Sequence, residues 1–240
     1  MDDICPKRIA IISDVHGNLT ALEQALVIIE QQQCDAIYFL GDAVGYFPRL
    51  TALHRILDVE GLIAIRGNHE EYLLGLQDYD IEKEPVYQLA KARRDISDEV
   101  LQRVRNWPTL LDVTFCGKRV LFVHGSPTNH TNGYVYPDSE LSATVPDFVF
   151  LGNTHRPFIR RVGTTTYINV GSVGLPRDDG RFGAFCIWNT ESEVPEILRF
   201  KLDASHEIVD PLNMVHDSVI NLTNRRENDH LIVGKFISDV

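Results

Sequence analysis

Ile9-Ala10-Ile11-Ile12-Ser13-Asp14-Val15-His16-Gly17-Asn18 joins a short, continuously apolar run to a polar cluster built around a glycine. The run is rich in β-branched side chains and lacks polar alternation, which is how a strand reads when both faces are covered. The residues that follow it are types that bind metals or move protons. Asn18 suits an N-cap, and Leu19, Leu22, Leu26 and Ile29 then recur at spacings of three and four, one face of a helix. A buried strand that feeds a helix through a turn loaded with Asp and His opens an α/β fold.

The same design returns four times. Ala36–Leu40 runs into Gly41-Asp42, Leu62–Ile65 into Arg66-Gly67-Asn68-His69-Glu70, Val120–Val123 into His124-Gly125-Ser126-Pro127, and Phe148–Leu151 into Gly152-Asn153-Thr154-His155. In open α/β sheets, ligands bind beyond the carboxyl ends of the strands, so five such ends are expected to converge on one crevice. A second helix is expected after Pro48, with Leu50, Leu53, His54 and Leu57 along one face. A further one should begin at Ser97, with Asp98 and Glu99 favoured by the helix dipole and Val100, Leu101 and Val104 facing inward, ending before Pro108.

Beyond Pro108 strands dominate. Leu110–Phe115 and Arg119–Val123 flank Cys116-Gly117-Lys118, and Phe158–Val162 and Thr165–Val170 flank Gly163-Thr164, two hairpin signals. Phe182–Trp188 and Glu196–Leu202 complete the set. The expected fold class is α/β, a four-layer α-β-β-α sandwich of two mixed sheets with a metal site at the strand C-terminal ends. With no linker between the halves, residues 1–240 are expected to form one domain: a motif-bearing core, 7–200, and a C-terminal extension, 201–240.

Composition narrows the function classes. Of 240 residues 44% are apolar and 24% charged, ordinary for a globular chain able to bury one sizeable core. A net charge of −11 argues against general nucleic-acid binding, which draws affinity from clustered Lys and Arg. It leaves room for a small phosphorylated substrate, because metal ions supply positive potential locally. No stretch approaches the 18 or so consecutive apolar residues of a membrane span. Cys5, Cys34, Cys116 and Cys186 form no C-x-x-C pair; the last three adjoin apolar runs and are expected as buried thiols. A cytoplasmic setting fits that pattern.

The polar clusters suit metal chemistry. Asp14 and His16 are separated by one residue, so one turn can aim both at one ion. Asp42 can bridge two ions through its carboxylate oxygens, while Asn68 offers an amide oxygen and His124 and His155 offer imidazoles. This mixed set suits Mn, Fe, Zn or Ni better than Ca and lacks the thiolates of structural zinc. Two ions about 3.5–4 Å apart clamp a phosphoryl group and activate a shared water as hydroxide for in-line attack. His69 adjoins a ligand and is placed to protonate the leaving oxygen.

These motifs resemble the calcineurin-like metallophosphoesterase superfamily. Its D-x-H reads Asp14-Val15-His16, its G-D reads Gly41-Asp42, its G-N-H-[ED] reads Gly67–Glu70, and its later histidine motif reads Val123-His124-Gly125. The bacterial and archaeal branch of small phosphodiesterases and dinucleotide polyphosphatases is closer still, through Val123–Pro127 and Asn169–Arg177. The resemblance spans roughly Lys7 to Asn189. It implies one metal on Asp14, His16, Asp42 and His155, and a second that shares Asp42 and adds Asn68 and His124. The last family motif, usually G-H-x-H, here reads Gly152-Asn153-Thr154-His155. Asn153 therefore replaces an expected histidine, either as a weaker, harder ligand that biases the second site toward Mn or Mg, or as the holder of a water.

The expected activity is hydrolysis of a phosphoester or phosphoanhydride in a small, nucleotide-like substrate, with two divalent ions, Mn first and Fe, Zn, Ni or Mg as alternatives. A phosphomonoesterase or phosphoprotein phosphatase, and a non-catalytic scaffold on the same fold, are the competing readings. Arg177, after a Gly-rich turn, is expected to contact phosphate. Arg66 is read as a brace for the Asn68 turn, and His54, His206, His216 and His230 as surface or packing residues. Tyr134 and Tyr136, in the long Gly125–Pro146 segment, are read as stacking on a base or as anchoring the loop, anchoring being preferred. For the tail from Asp203, packing on the sheet and self-association as a homo-oligomer both stay open.

Overall fold

The computed structural model describes residues 6–202, 215–228 and 232–237. Strand β1 (Arg8–Ile12) leads through the Asp14–Gly17 turn into α1 (Leu19–Gln31), whose N-cap Asn18 accepts the Ala21 N–H at 3.0 Å. β2 (Ala36–Phe39), α2 (Thr51–Asp58), β3 (Ile63–Ala64) and α3 (Asn68–Leu73) follow, then the short helices α4 (Glu84–Tyr87) and α5 (Leu89–Asp95) and helix α6 (Asp98–Arg105). Ser97 caps α6 through the Val100 N–H. The α2 face is rotated from the expected one: Ala52, Leu53 and Ile56 are buried and His54 is exposed.

The strand-rich second half comprises β4 (Leu110–Phe115), β5 (Lys118–Val123), β6 (Phe148–Leu151), β7 (Phe158–Val162), β8 (Thr165–Asn169), β9 (Phe182–Asn189) and β10 (Val194–Lys201). Helix α7 (Asp217–Thr223) and strand β11 (Lys235–Phe236) belong to the C-terminal segment. One mixed sheet has the order β11-β10-β9-β1-β2-β3 and the other β4-β5-β6-β8-β7. β1–β2–β3 and β5–β6–β8 are parallel runs, so the ligand-bearing ends of β1, β2, β3, β5 and β6 open toward one crevice.

Period-two geometry explains the layering. Ile9 and Ile11 of β1 face the second sheet, in a core shared with Val120, Phe122, Phe148, Phe150 and Trp188; Ala10 and Ile12 face the helices. The outer face of the second sheet is covered by the segment around Val135 and Leu141, where Tyr167 Oη donates to the Ser142 carbonyl at 2.9 Å. Two mixed sheets with flanking helices are thus observed, as the sequence patterning predicts.

Cys186 is a buried thiol, as expected, and Cys34 is a half-buried one. Cys116 departs from the expectation: it lies exposed in the β4–β5 turn and is disulfide-bonded. A disulfide belongs to oxidising surroundings, so cysteine usage does not fix the compartment. Of the tail, β11 adds to the β10 edge in parallel and α7 packs inward, whereas His206 and His230 fall outside the described residues. Among the described residues, no helix is long and apolar enough to cross a membrane.

Candidate active site

The residues singled out at the five strand ends meet in one buried cluster. Asp14, His16 and His155 form one group whose ligand atoms all lie within 4.8 Å of one another; Asp14, Asp42 and His124 form a second, and His16, Asp42 and His69 a third. His124 Nε2 lies 3.1 Å from Asn68 Oδ1 and 3.3 Å from Asp42 Oδ2, which draws Asn68 into the second group. Asp14, His16, Asp42, Asn153 and His155 all adopt left-handed backbone, with φ between 53° and 63°. Such conformations cost non-glycine residues of order 1–3 kcal/mol each and persist only where the surroundings impose them. Here they turn consecutive side chains off the strand ends toward one point.

Each imidazole is locked by a backbone carbonyl. His16 Nδ1 faces Val44 O at 3.0 Å, His124 Nδ1 faces Leu40 O at 2.8 Å, and His155 Nδ1 faces Leu175 O. A carbonyl only accepts, so each Nδ1 carries a proton, and in a neutral ring Nε2 presents a lone pair. With both rings neutral, His16 Nε2 and His155 Nε2, which face each other at 3.0 Å, are two acceptors without a proton between them. Asp14 Oδ1, fully buried and 3.1 Å from His155 Nε2, likewise has no hydrogen-bond donor. Acceptors converging in this way fit divalent cations, and carboxylate, imidazole and amide donors are the chemistry of Mn, Fe, Zn or Ni sites.

The electrostatics agree. Burial would raise the pKa of Asp14, but His155 and His124 outweigh it and hold the carboxyl well below its usual range. Asp42 is lowered in the same way, against burial, by His124 and His69. His124 is pushed up to about 9, because Asp42 and Asp14 overcome the burial that would lower it. Burial drives His69 down to about 3; burial and then Arg177 drive His155 down to about 4. The metal-free cluster therefore takes its missing positive charge as a proton on His124, a role that cations would assume.

The supporting residues came less readily from the sequence. Glu70, fully buried, accepts the N–H groups of Asp42, Ala43 and Gly67 at 2.7, 2.7 and 2.8 Å and so ties the β2 turn to the β3 turn. Gly67 presses against Asp42: a Cβ there would lie 2.1 Å from Asp42 Oδ1. The end of β8 is a sixth contributor. Asn169 donates to Gly152 O at 2.7 Å and Thr154 Oγ1 at 3.0 Å, and Ser172 Oγ donates to Asp14 O at 2.7 Å. Asn169 and Ser172 lie in the quoted Asn169–Arg177 stretch, and Glu70 closes Gly67–Glu70, so their positions were visible although their roles were not. Tyr46 gave no signal.

Asn153 donates its backbone N–H to Asp14 Oδ2 at 3.1 Å and its side-chain amide to Gly133 O at 2.9 Å, fastening the Gly125–Pro146 segment to the ligand turn. Arg177 reaches the wall beside His155: its Nη2 donates to Tyr46 Oη at 2.7 Å and its guanidinium lies 5.7 Å from the Tyr46 ring centre. Arg66 pairs with Glu71 at 2.8 Å and donates to Arg105 O, bracing α3 as expected. The preferred anchoring role of Tyr134 and Tyr136 does not hold. They are 56% and 40% exposed and stack parallel at 6.0 Å, while Val135 between them is buried. The valine packs into the cluster on the outer face of the second sheet and so anchors the loop, while the tyrosines point out.

The model for the calcineurin-like phosphoesterase superfamily domain matches residues 8–193. The uncharacterized protein MJ0912 of Methanocaldococcus jannaschii is 28% identical over 213 residues, covering 81% of this chain and 88% of that protein. Phosphodiesterase YfcE of Escherichia coli strain K12 is 24% identical over 173 residues, covering 71% and 81%. The crystal structure of a metallophosphoesterase from Sphaerobacter thermophilus superposes with a TM-score of 0.73 at 23% identity, over 90% of this chain and 98% of that one. On the match to 8–193 and the convergent Asp and His cluster, this chain belongs to the calcineurin-like phosphoesterase superfamily and is a phosphoesterase enzyme.

Proposed function

We propose that the chain is a two-metal phosphodiesterase acting on a small, nucleotide-like substrate. The observation that carries this reading is the pair of His16 and His155 Nε2 atoms, facing each other at 3.0 Å beside the donorless Asp14 Oδ1. One divalent ion would be held by Asp14, His16, Asp42 and His155, and a second by Asp42, Asn68, His124 and Asn153. Mn is the expected metal, with Fe, Zn, Ni or Mg as alternatives. Such ions supply positive charge to phosphoryl oxygens and lower the pKa of water.

The chain's own residues do the remaining work in this reading. Glu70 and Asn169 hold the ligand turns in place before substrate arrives, which removes reorganisation from the reaction. Arg177 binds a phosphate oxygen. His69, whose ring centre lies 4.8 Å from that of His16 and whose Nδ1 has no protein partner, gives a proton to the leaving oxygen. The negative charge of a bound phosphoester favours the protonated form that this role requires. The exposed, parallel Tyr134 and Tyr136 offer an aromatic face on the loop that Asn153 fastens to the site, which supports a planar base in the substrate.

The test is a side-by-side assay of bis-p-nitrophenyl phosphate, p-nitrophenyl phosphate and a dinucleoside tetraphosphate, after reconstitution with each metal. Diester or anhydride cleavage should dominate and Asp42→Asn should abolish it. Preference for the monoester would move the assignment to a phosphomonoesterase. Inactivity under every metal, with wild type and Asp42→Asn alike, would leave the scaffold.

A further inference from the structure

The wall that carries Arg177 is underpinned by residues beyond the stretch that matches the family, residues 8–193. Val215 and Val219, the latter fully buried on α7, form one apolar cluster with Tyr46, Phe47 and Leu175, flanked by Tyr87, Ile220 and Leu222. Tyr46 accepts the Arg177 guanidinium at 2.7 Å and meets the His16 ring edge-on at 4.6 Å between centroids. The C-terminal helix thus packs directly behind the residue that links Arg177 to the metal-binding cluster.

The same segment clamps the Arg177 turn from its other side. Gly180 donates to Arg225 O at 3.0 Å, and the Glu227 N–H donates to Asp179 at 2.8 Å. Gly180 packs so closely on the end of α7 that a Cβ there would lie 2.3 Å from Thr223 O and 2.5 Å from Leu222 O. Next to Arg177, Asp178 takes a bidentate pair from the fully buried Arg199 at 2.9 and 3.2 Å, and Arg199 O accepts the Ile237 N–H after β11. Asp178, Asp179 and Gly180 are each held by the last part of the chain or by the strand it extends.

We infer that the segment Val215–Glu227 is a working part of the active site, a positioning element that holds the Tyr46 ring and the Arg177 turn so that the guanidinium meets the substrate phosphate. The inference rests on the reading of Arg177 as a phosphate contact. It assigns the segment to substrate binding and not to metal binding, because its described residues pack on or bond to Tyr46, Phe47, Leu175, Asp179 and Gly180, none of them a proposed metal ligand.

The experiment uses the full chain with Mn and bis-p-nitrophenyl phosphate, measuring kcat, KM and Mn affinity for Arg177→Ala, Gly180→Ala and the double variant. Gly180→Ala wedges a methyl group between the turn and α7 and should raise KM roughly 10-fold or more, since small misplacements of positioning groups are costly. Its kcat and Mn affinity should stay near wild type, and the double variant should be no worse than Arg177→Ala alone. Val219→Ala, which loosens the packing behind Tyr46 without a wedge, should shift KM the same way and provides the test if Gly180→Ala does not fold. Multiplying effects in the double variant, an unchanged KM in the folded variants, or a loss of Mn affinity would overturn the inference. A silent Arg177→Ala would instead remove the phosphate contact on which it rests, and the single variants tell the two failures apart.

Discussion

Replacing Asn169 by alanine tests whether the end of β8 preorganises the metal cluster. Its side chain is fully buried and makes three hydrogen bonds: to Gly152 O at 2.7 Å, to Thr154 Oγ1 at 3.0 Å and from the Gly171 N–H at 3.0 Å. Gly152 O would keep the Thr154 N–H at 2.7 Å, so that loss is about 1 kcal/mol, and the threonine hydroxyl can turn to another partner at a similar or smaller cost. The Gly171 N–H would be stranded, which costs about 1–3 kcal/mol. The sum is about 3 kcal/mol, or a melting temperature lower by roughly 6–12 °C for a chain of this size.

The Gly152–His155 turn that loses its brace carries His155 and the Asn153 N–H that holds Asp14, so Mn affinity should fall roughly 10-fold or more. Urea unfolding in chelator gives the first quantity and Mn titration calorimetry the second. Asn169→Asp sharpens the test. It keeps the acceptor for Gly171 but aims a carboxylate at Gly152 O, so it should be least stable at neutral pH and recover on acidification, when the protonated acid can donate again. Stability within about 0.5 kcal/mol of wild type, with unchanged Mn affinity, would refute the reasoning.

Two further outcomes follow from the cluster. In the metal-free protein, His69 at about 3 and His155 at about 4 bind protons less readily than their unfolded forms near 6.5, so their contributions to stability rise with pH up to that value; Glu70, raised to about 7 by burial and by Asp42, and His124, raised to about 9, contribute stability that is lost as pH climbs through those values. Thermal melts in chelator should therefore show greatest stability near pH 6.5, about the ordinary histidine value, and a fall toward pH 9, and a rise across that alkaline range would contradict the assignment. If the proposed second Mn site exists, Asn153→His should tighten it in a two-site titration while releasing the Gly125–Pro146 segment from its bond at Gly133; identical second-site affinity would rule Asn153 out as a ligand.

The sequence by itself determined the two sheets and the residues of the crevice, because both are written locally. Unbroken apolar runs such as Ile9–Ile12 and Phe148–Leu151 read as strands covered on both faces, and although one Asp, His or Asn at a strand end is ordinarily a turn or cap residue, five strand ends in succession carrying them point to a site. Hairpins at Cys116–Lys118 and Gly163-Thr164 announced themselves through glycine. What only the tertiary structure decided depends on contacts between residues far apart in the chain. Nothing local shows that Glu70 would bind the backbone of Asp42 and Ala43, that Asn169 would brace Gly152, or that Asn153 would spend its amide on Gly133. Tyr134 and Tyr136 turned outward while Val135 between them took the place in the apolar cluster, a choice made by packing against distant residues and not by residue type. The C-terminal segment carried no chemistry of its own to read, since what it contributes is the packing of Val215 and Val219 behind Tyr46 and the grip of Arg225 and Glu227 on the Arg177 turn, and such contacts exist only once the chain has folded.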